Sequence, residues 1–195
     1  MKTIINALFL FVALTTVVGC GQSEFEGDSG TTNPSASIDQ SDFVTTVTHV
    51  DAGDAQSQYD LGWRYFTENA EKAVNWWHLA AENGHAEAQW ALGSMYADGL
   101  GIPQNYQEAV KWYKLSAHQG NASGLRLLGY MYREGNGVPQ DFQRAYVWYS
   151  LSAAKGNTMG ALERDEIRIH LSAQALEQAQ AQATRCFESS FQDCD

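Results

Sequence analysis

Residues 86–120 read AEAQWALGSMYADGLGIPQNYQEAVKWYKLSAHQG, and residues 121–156 repeat that pattern at a spacing of 36. Gly84, Gly120 and Gly156 are 36 apart, as are Ala73, Ala109 and Ala145, then Trp76, Trp112 and Trp148, and Leu79, Leu115 and Leu151. Each of these Trp residues precedes a second aromatic: Trp77, Tyr113 and Tyr149. Leu92–Tyr96 (LGSMY) matches Leu128–Tyr132 (LGYMY) at the same step, and Leu61–Tyr65 (LGWRY) matches at 31. Gly99–Gln104 (GLGIPQ) matches Gly135–Gln140 (GNGVPQ), and the shorter first unit has no counterpart of that stretch. Self-similarity at a fixed period is the signature of a repeat architecture.

Each unit reads as two helices. The first spans His85–Asp98, with Ala88, Leu92 and Tyr96 four apart on one face. Gly99 and Gly101 end it, because glycine takes the left-handed conformation without penalty. The second spans Tyr106–Gln119, with Asn105 as N-cap and Glu108 three residues on, the spacing of a capping box. Asp141 holds the capping place in the third unit. Gly93 and Gly129 fall inside first helices, where each costs about 1 kcal/mol relative to Ala. Glycine at that cost points to close helix–helix approach.

The pattern resembles the Sel-one-like repeat, a relative of the tetratricopeptide repeat, over about Ala52–Arg185. The resemblance implies an all-α fold, a right-handed α-solenoid of about three helix-turn-helix repeats (52–84, 85–120, 121–156) closed by C-terminal capping helices in 157–195. Asn157–Ile169 starts as a fourth unit and then departs, with Arg164-Asp165 where the others have Leu-Gly. Ser172–Arg185 reads as a last helix with Ser172 as its N-cap. Units of this kind do not fold alone, and about three are needed for stability.

The chain starts with Lys2 and a short apolar stretch, Ile4–Val18, too brief for a membrane-spanning helix of about 20 residues. Met1–Gly19 is read as a secretory signal. Val17-Val18-Gly19-Cys20 resembles the bacterial lipobox, which implies cleavage before Cys20 and diacylation (palmitate-type chains) of that residue. Gly21, where retained lipoproteins have Asp, implies the outer membrane, facing the periplasm. Residues 20–51 are the lipidated N-terminus and a flexible linker, with Phe43–Val50 a stray strand candidate. As a random coil, Gly21–Thr48 would span about 30 Å.

Cys186 and Cys194 follow the last helix. An exported protein meets an oxidising compartment, so a structural disulfide is expected ahead of a redox pair, which usually has two residues between its cysteines. On one straight helix the two would be about 12 Å apart, beyond the reach of about 7 Å that a disulfide allows. A bond therefore requires the helix to break near Glu188–Ser190. The spacing also resembles helix-pair disulfides of cysteine-rich proteins in this repeat family.

Little chemistry is legible. Ser152-Ala153-Ala154-Lys155 matches Ser-x-x-Lys. Some relatives have been proposed to handle β-lactams, so a hydrolase of β-lactams or cell-wall peptides is the last of three readings. Ser152, however, stands at a repeat position that Ser116 also occupies. No catalytic residue, metal ligand or cofactor is assigned. The five His form no His-x-x-x-His or Cys/His cluster, and the Gly-x-Gly loops follow helices rather than strands. Acids outnumber Lys plus Arg by 23 to 12, for a net charge of -11. That balance argues against nucleic acid as a partner and against docking on anionic lipid.

In tetratricopeptide-like solenoids the first helices line a concave face. Applied to this chain, the resemblance places Tyr59, Trp63 and Phe66 on that face, then Trp90, Ser94 and Ala97, then Arg126, Tyr130 and Arg133. Tyr, Trp and Arg dominate interface hot spots. The partner-binding set is therefore Tyr59, Trp63, Phe66, Trp90, Arg126, Tyr130 and Arg133, expected to be exposed, with the two Arg favouring an acidic group on the ligand. The leading reading is a lipid-anchored envelope adaptor that binds a protein or peptide there. The alternative is a module for an envelope glycan or peptidoglycan fragment.

Overall fold

The computed structural model describes residues 54–194, which are helices and turns with no strand among them. The leader, Cys20, the linker and the Phe43–Val50 candidate lie outside the described residues. The helices are α1 (Ala55–Phe66), α2 (Ala70–Glu82), α3 (Ala86–Asp98), α4 (Tyr106–His118), α5 (Ala122–Glu134), α6 (Phe142–Ala154), α7 (Thr158–Ile167) and α8 (Ala173–Glu188). A short 3-10 turn, Arg168–His170, joins the last two. Successive helices from α1 to α7 pack on one another along the chain, and α8 packs back on α6.

The helical glycines explain how each pair closes. A methyl on Gly62 would lie 2.2 Å from the Trp77 ring, one on Gly93 2.7 Å from Tyr113, and one on Gly129 2.9 Å from Tyr149. The aromatic of each second helix thus lies flat across the first helix, and all three rings are buried. Burying such a ring is worth about 2–3 kcal/mol, which offsets the helical cost of the glycine.

The Gly-x-Gly loops are built alike. Gly99 sits in the left-handed region (φ 70°) and donates to the Met95 carbonyl at 2.9 Å. The Gln104 amide then donates to the Ala97 carbonyl at 2.8 Å, and Gln140 does the same to Arg133 at 2.8 Å. The second glycine has a different duty. A methyl on Gly101 would meet the Ala70 backbone at 2.5 Å, and one on Gly137 would meet the Tyr106 backbone at 2.5 Å. Each loop therefore rests on the first turn of the second helix of the preceding unit. The first unit has no preceding unit among the described residues, and it lacks the loop.

The caps hold with one correction. Asn105 accepts from the Gln107 and Glu108 amides, and Asp141 from Arg144. Glu108 does not return to Asn105 as a capping box requires; it pairs with Lys111. The Asn105 amide is already committed to the Tyr96 carbonyl at 2.9 Å, and Asp141 is likewise bonded to Tyr132 at 2.9 Å. The backbone link to the first helix displaces the side-chain one.

Two clusters make the core. One joins α2 to α3; the other runs from α4 through α6 to α8. Trp90 and Tyr96 pack against both. The fourth unit begins as the sequence implies: Asn157 caps α7 through the Gly160 amide at 2.9 Å, as Asn121 caps α5 through Gly124 at 2.9 Å. At its far end α8 stops at Glu188. Ser190 (φ 54°) and Phe191 (φ 66°) then turn the chain through the left-handed region. The reversal brings the Cα atoms of Cys186 and Cys194 to 4.6 Å, and the two are joined by a disulfide.

Candidate functional site

Of the expected partner-binding set, the aromatics of α1 and α3 come together, while Tyr130 and Arg133 meet on α5 and Arg126 and Arg133 reach α7. Tyr59 and Trp63 meet edge to face at 6.3 Å, Trp63 and Phe66 at 5.6 Å, and Trp63 approaches Trp90 at 6.5 Å. Trp63 also packs edge-on against the buried Trp77 at 5.2 Å. One aromatic surface thus spans the first two units. Edge-to-face pairs are worth about 0.5–1.5 kcal/mol beyond their burial, so these rings are held in place rather than free to reorient.

The expected exposure is met only in part. Trp63 is 42% exposed. Tyr59, Phe66, Trp90, Arg126, Tyr130 and Arg133 are half-buried. Trp90 carries the largest change from expectation: its indole N–H is buried with no hydrogen-bond partner, and its ring braces both core clusters. It is a structural residue as much as a surface one.

The two arginines are already engaged. Arg126 donates to Glu163 of α7 at 2.9 Å, and Arg133 to Glu134 at 2.7 Å with Glu166 at 3.9 Å. Arg133 also lies over the Tyr130 ring at 5.0 Å. The acids of α7 come from the segment where the fourth unit departs from the repeat, so periodicity gave no sign of them. With both guanidinium charges compensated, the expectation of an acidic ligand loses its basis. What remains outward is aromatic.

Beneath this face Tyr149 is buried, its hydroxyl has no partner, and one oxygen of Glu163 is similarly unpaired. Burial first, and then the Glu163 charge, raise the Tyr149 phenol well above its ordinary value. Burial likewise pushes Tyr113 up to about 12. The sign follows from proton counting. Between about pH 10 and 12 the unfolded tyrosines have lost protons that the folded ones keep, so stability falls as pH rises. Tyr149→Phe removes a buried unpaired hydroxyl and one of these groups. We expect it to leave stability unchanged or raise it by about 1 kcal/mol at neutral pH, and to shrink the alkaline loss, read by urea unfolding at pH 7 and 11. A steeper alkaline loss in the variant would contradict this account.

Ser152 is placed differently from a nucleophile. Its hydroxyl is buried and donates to the Ala122 carbonyl at 2.7 Å, as Ser116 donates to Ala86 at 2.7 Å. Its Oγ also fills the space that a methyl on Gly160 would enter, at 2.7 Å. Lys155 instead lies over the Phe191 ring at 5.6 Å. Ser152 seals a helix joint. Among the described residues no group of three or more His, Cys, Asp or Glu could hold a metal ion, and no helix is long and apolar enough to cross a membrane.

A solenoid of helix pairs with aromatics gathered on its first helices defines a class of repeat scaffold. The Sel1-repeat family model matches residues 55–85, 86–121 and 122–157, and the chain belongs to the Sel1-repeat family. A Sel1 repeat protein from Oxalobacter formigenes superposes with a TM-score of 0.60 at 32% identity, covering 64% of this chain and 98% of that one. A protective antigen of uropathogenic Escherichia coli with an SLR fold gives a TM-score of 0.71 at 28% identity over 75% of this chain. A negative regulator of exopolysaccharide production from Rhizobium leguminosarum bv. viciae is 46% identical over 41 residues, 21% of this chain. The matches span only 33% of the antigen and 15% of the regulator. Proteins of this repeat family mediate protein–protein interaction.

Proposed function

We propose that this chain is a lipid-anchored adaptor of the bacterial cell envelope that captures a protein or peptide partner on the face of its first helices. The observation that carries the reading is the continuous aromatic surface of Tyr59, Trp63, Phe66 and Trp90, with Trp63 at its exposed centre. Exposed aromatic patches of this kind mark interaction sites. Because Arg126 and Arg133 are paired with acids of their own chain, the partner is read as bringing apolar or aromatic side chains rather than a carboxylate. The lipobox-like Val17–Cys20 supports the anchor at Cys20, and Gly21 after it supports the outer membrane as its place. The similarity to a Rhizobium negative regulator of exopolysaccharide production supports a regulatory role for such an adaptor.

The test is a pull-down from solubilised envelope with the full chain beside a Trp63→Ala, Tyr130→Ala variant. Trp90 is left intact because it braces both core clusters. A protein retained by the parent and lost by the folded variant is the expected result. Equal retention by both would place the partner on another face. Retention of isolated sacculi but of no protein would favour a glycan-binding module instead.

A further inference from the structure

Tyr130, Arg133 and Glu134 of α5 stand 36 residues after Ser94, Ala97 and Asp98 of α3. In the third unit the three side chains complete one another. The Arg133 guanidinium lies over the Tyr130 ring at 5.0 Å and is bound to Glu134 at 2.7 Å. In the second unit the acid is kept, while serine and alanine take the places of the aromatic and the cation.

A cavity of about 170 Å³ opens at those two small residues. It is lined by Ser94, Ala97 and Asp98 of α3, Tyr106 and Tyr113 of α4, and Tyr130 of α5. The tyrosines of α4 are fixed in place. The buried Tyr113 hydroxyl donates to Ser94 Oγ at 3.2 Å, and Ser94 donates to the Trp90 carbonyl at 3.1 Å. The Tyr106 hydroxyl accepts from the Gln104 amide at 3.1 Å. Asp98 has no such anchor. Among the described residues its carboxylate has no hydrogen bond and no ion pair. It is also the last residue of α3, where the helix dipole opposes a negative charge. An exposed acid alone calls for nothing, but the same fold shows one unit further on what completes it: a guanidinium set between the acid and a tyrosine ring.

We propose that this cavity is a binding site for an arginine side chain of the protein or peptide partner, with Asp98 as its counter-ion and the rings of Tyr106, Tyr113 and Tyr130 as its walls. The proposal rests on the reading of the first helices as the partner face, and adds a specificity to it. A planar guanidinium stacks on aromatic rings and forks onto a carboxylate, which a lysine ammonium does not, and a cation over tyrosine is attracted by the ring itself. The net charge of -11 draws a basic segment toward the chain. Ser94 stands one helical turn along α3 from Trp90. A segment that lays an apolar side chain on the Trp63–Trp90 surface therefore brings a neighbouring arginine to the cavity.

The probe is N-acetyl-arginine amide, titrated into the full chain carrying isotope-labelled tyrosine and followed by the ring resonances, with Tyr106→Phe and Tyr130→Phe identifying two of them. Saturable shifts of both are expected. The neutral isostere N-acetyl-citrulline amide should produce none. Asp98→Asn, at an exposed position, should weaken binding about fivefold while far-UV circular dichroism stays unchanged. Ala97→Arg, which rebuilds in the second unit the arrangement of Arg133 and Glu134, should abolish it by filling the cavity. No saturation by about 50 mM probe would overturn the proposal. So would equal binding of the citrulline analogue, or equal binding by Asp98→Asn. Equal binding of N-acetyl-lysine amide would give the cavity to any cation and overturn the arginine assignment too. Trp63→Ala should leave this titration intact while costing the protein retained in the pull-down, so failure of the cavity and failure of the adaptor reading are separate results.

Discussion

Gly137→Ala is expected to lower the stability of the protein by about 3 kcal/mol, as is Gly101→Ala at the corresponding turn of the preceding unit. Two costs coincide at Gly137. The residue has φ 73°, a left-handed conformation, which costs about 1–2 kcal/mol for a residue with a Cβ. The new methyl would also stand 2.5 Å from the Tyr106 carbonyl oxygen. Backbone at the first turn of a capped helix has no rotamer to change, so the clash moves the loop or α4, at about 1–3 kcal/mol. Gly156 supplies the control within the same fold. It has φ 87° but nothing within 4 Å of the added methyl, so Gly156→Ala carries the conformational cost alone, about 1 kcal/mol. Urea unfolding of both variants separates the two terms. Equal losses would mean that the loop does not bear on the preceding unit.

That contact also shows how much of the architecture was legible in the residues. The period, the helix pairs, the Gly-terminated first helices and the caps at Asn105 and Asp141 are local and recurrent, so spacing reveals them. Which surface the Gly-x-Gly loop touches is a property of stacking, and no single unit encodes it. Only its absence from the first unit hints that the loop needs a predecessor to rest on. The capping box at Glu108 failed for the same reason: a long-range backbone bond from Asn105 to Tyr96 outcompeted a local side-chain bond.

That the aromatics of α1 and α3 come together was legible, and their burial was not. The charge of Arg126 was misread because its partner Glu163 comes from α7, and that of Arg133 because it pairs with its own neighbour Glu134, with Glu166 of α7 further off. In that helix the repeat breaks down and sequence comparison between units has nothing to compare. Periodicity finds what successive units have in common, and a terminal unit acts through what it does not share. Ser152 illustrates the converse. Its match to Ser116 is structural, with both hydroxyls closing the same joint at 2.7 Å, and its hydroxyl bonds the Ala122 carbonyl rather than Lys155.

Trp148→Ala is expected to cost about 3–5 kcal/mol, the usual range for a fully buried indole, whereas Trp112→Ala should cost only about 1–2 kcal/mol. The sequence gives the two residues equivalent places, and α8 alone makes them unequal. Removing Trp148 opens a cavity bounded by α6, α8 and the disulfide-closed turn that seats Phe191 over Gly120. Removing Trp112 shaves a ring that is already half in water. The disulfide between Cys186 and Cys194 enters the same account. A loop of this size is worth about 2–3 kcal/mol in the chain-entropy model, and its reduction should loosen the end of α8 and the cover it provides. Thermal unfolding of both variants, with and without reductant, measures this. The gap between the two substitutions should be wide when the bond is intact and narrower when it is reduced. A gap of zero in the oxidised protein would show that α8 does not protect the third unit.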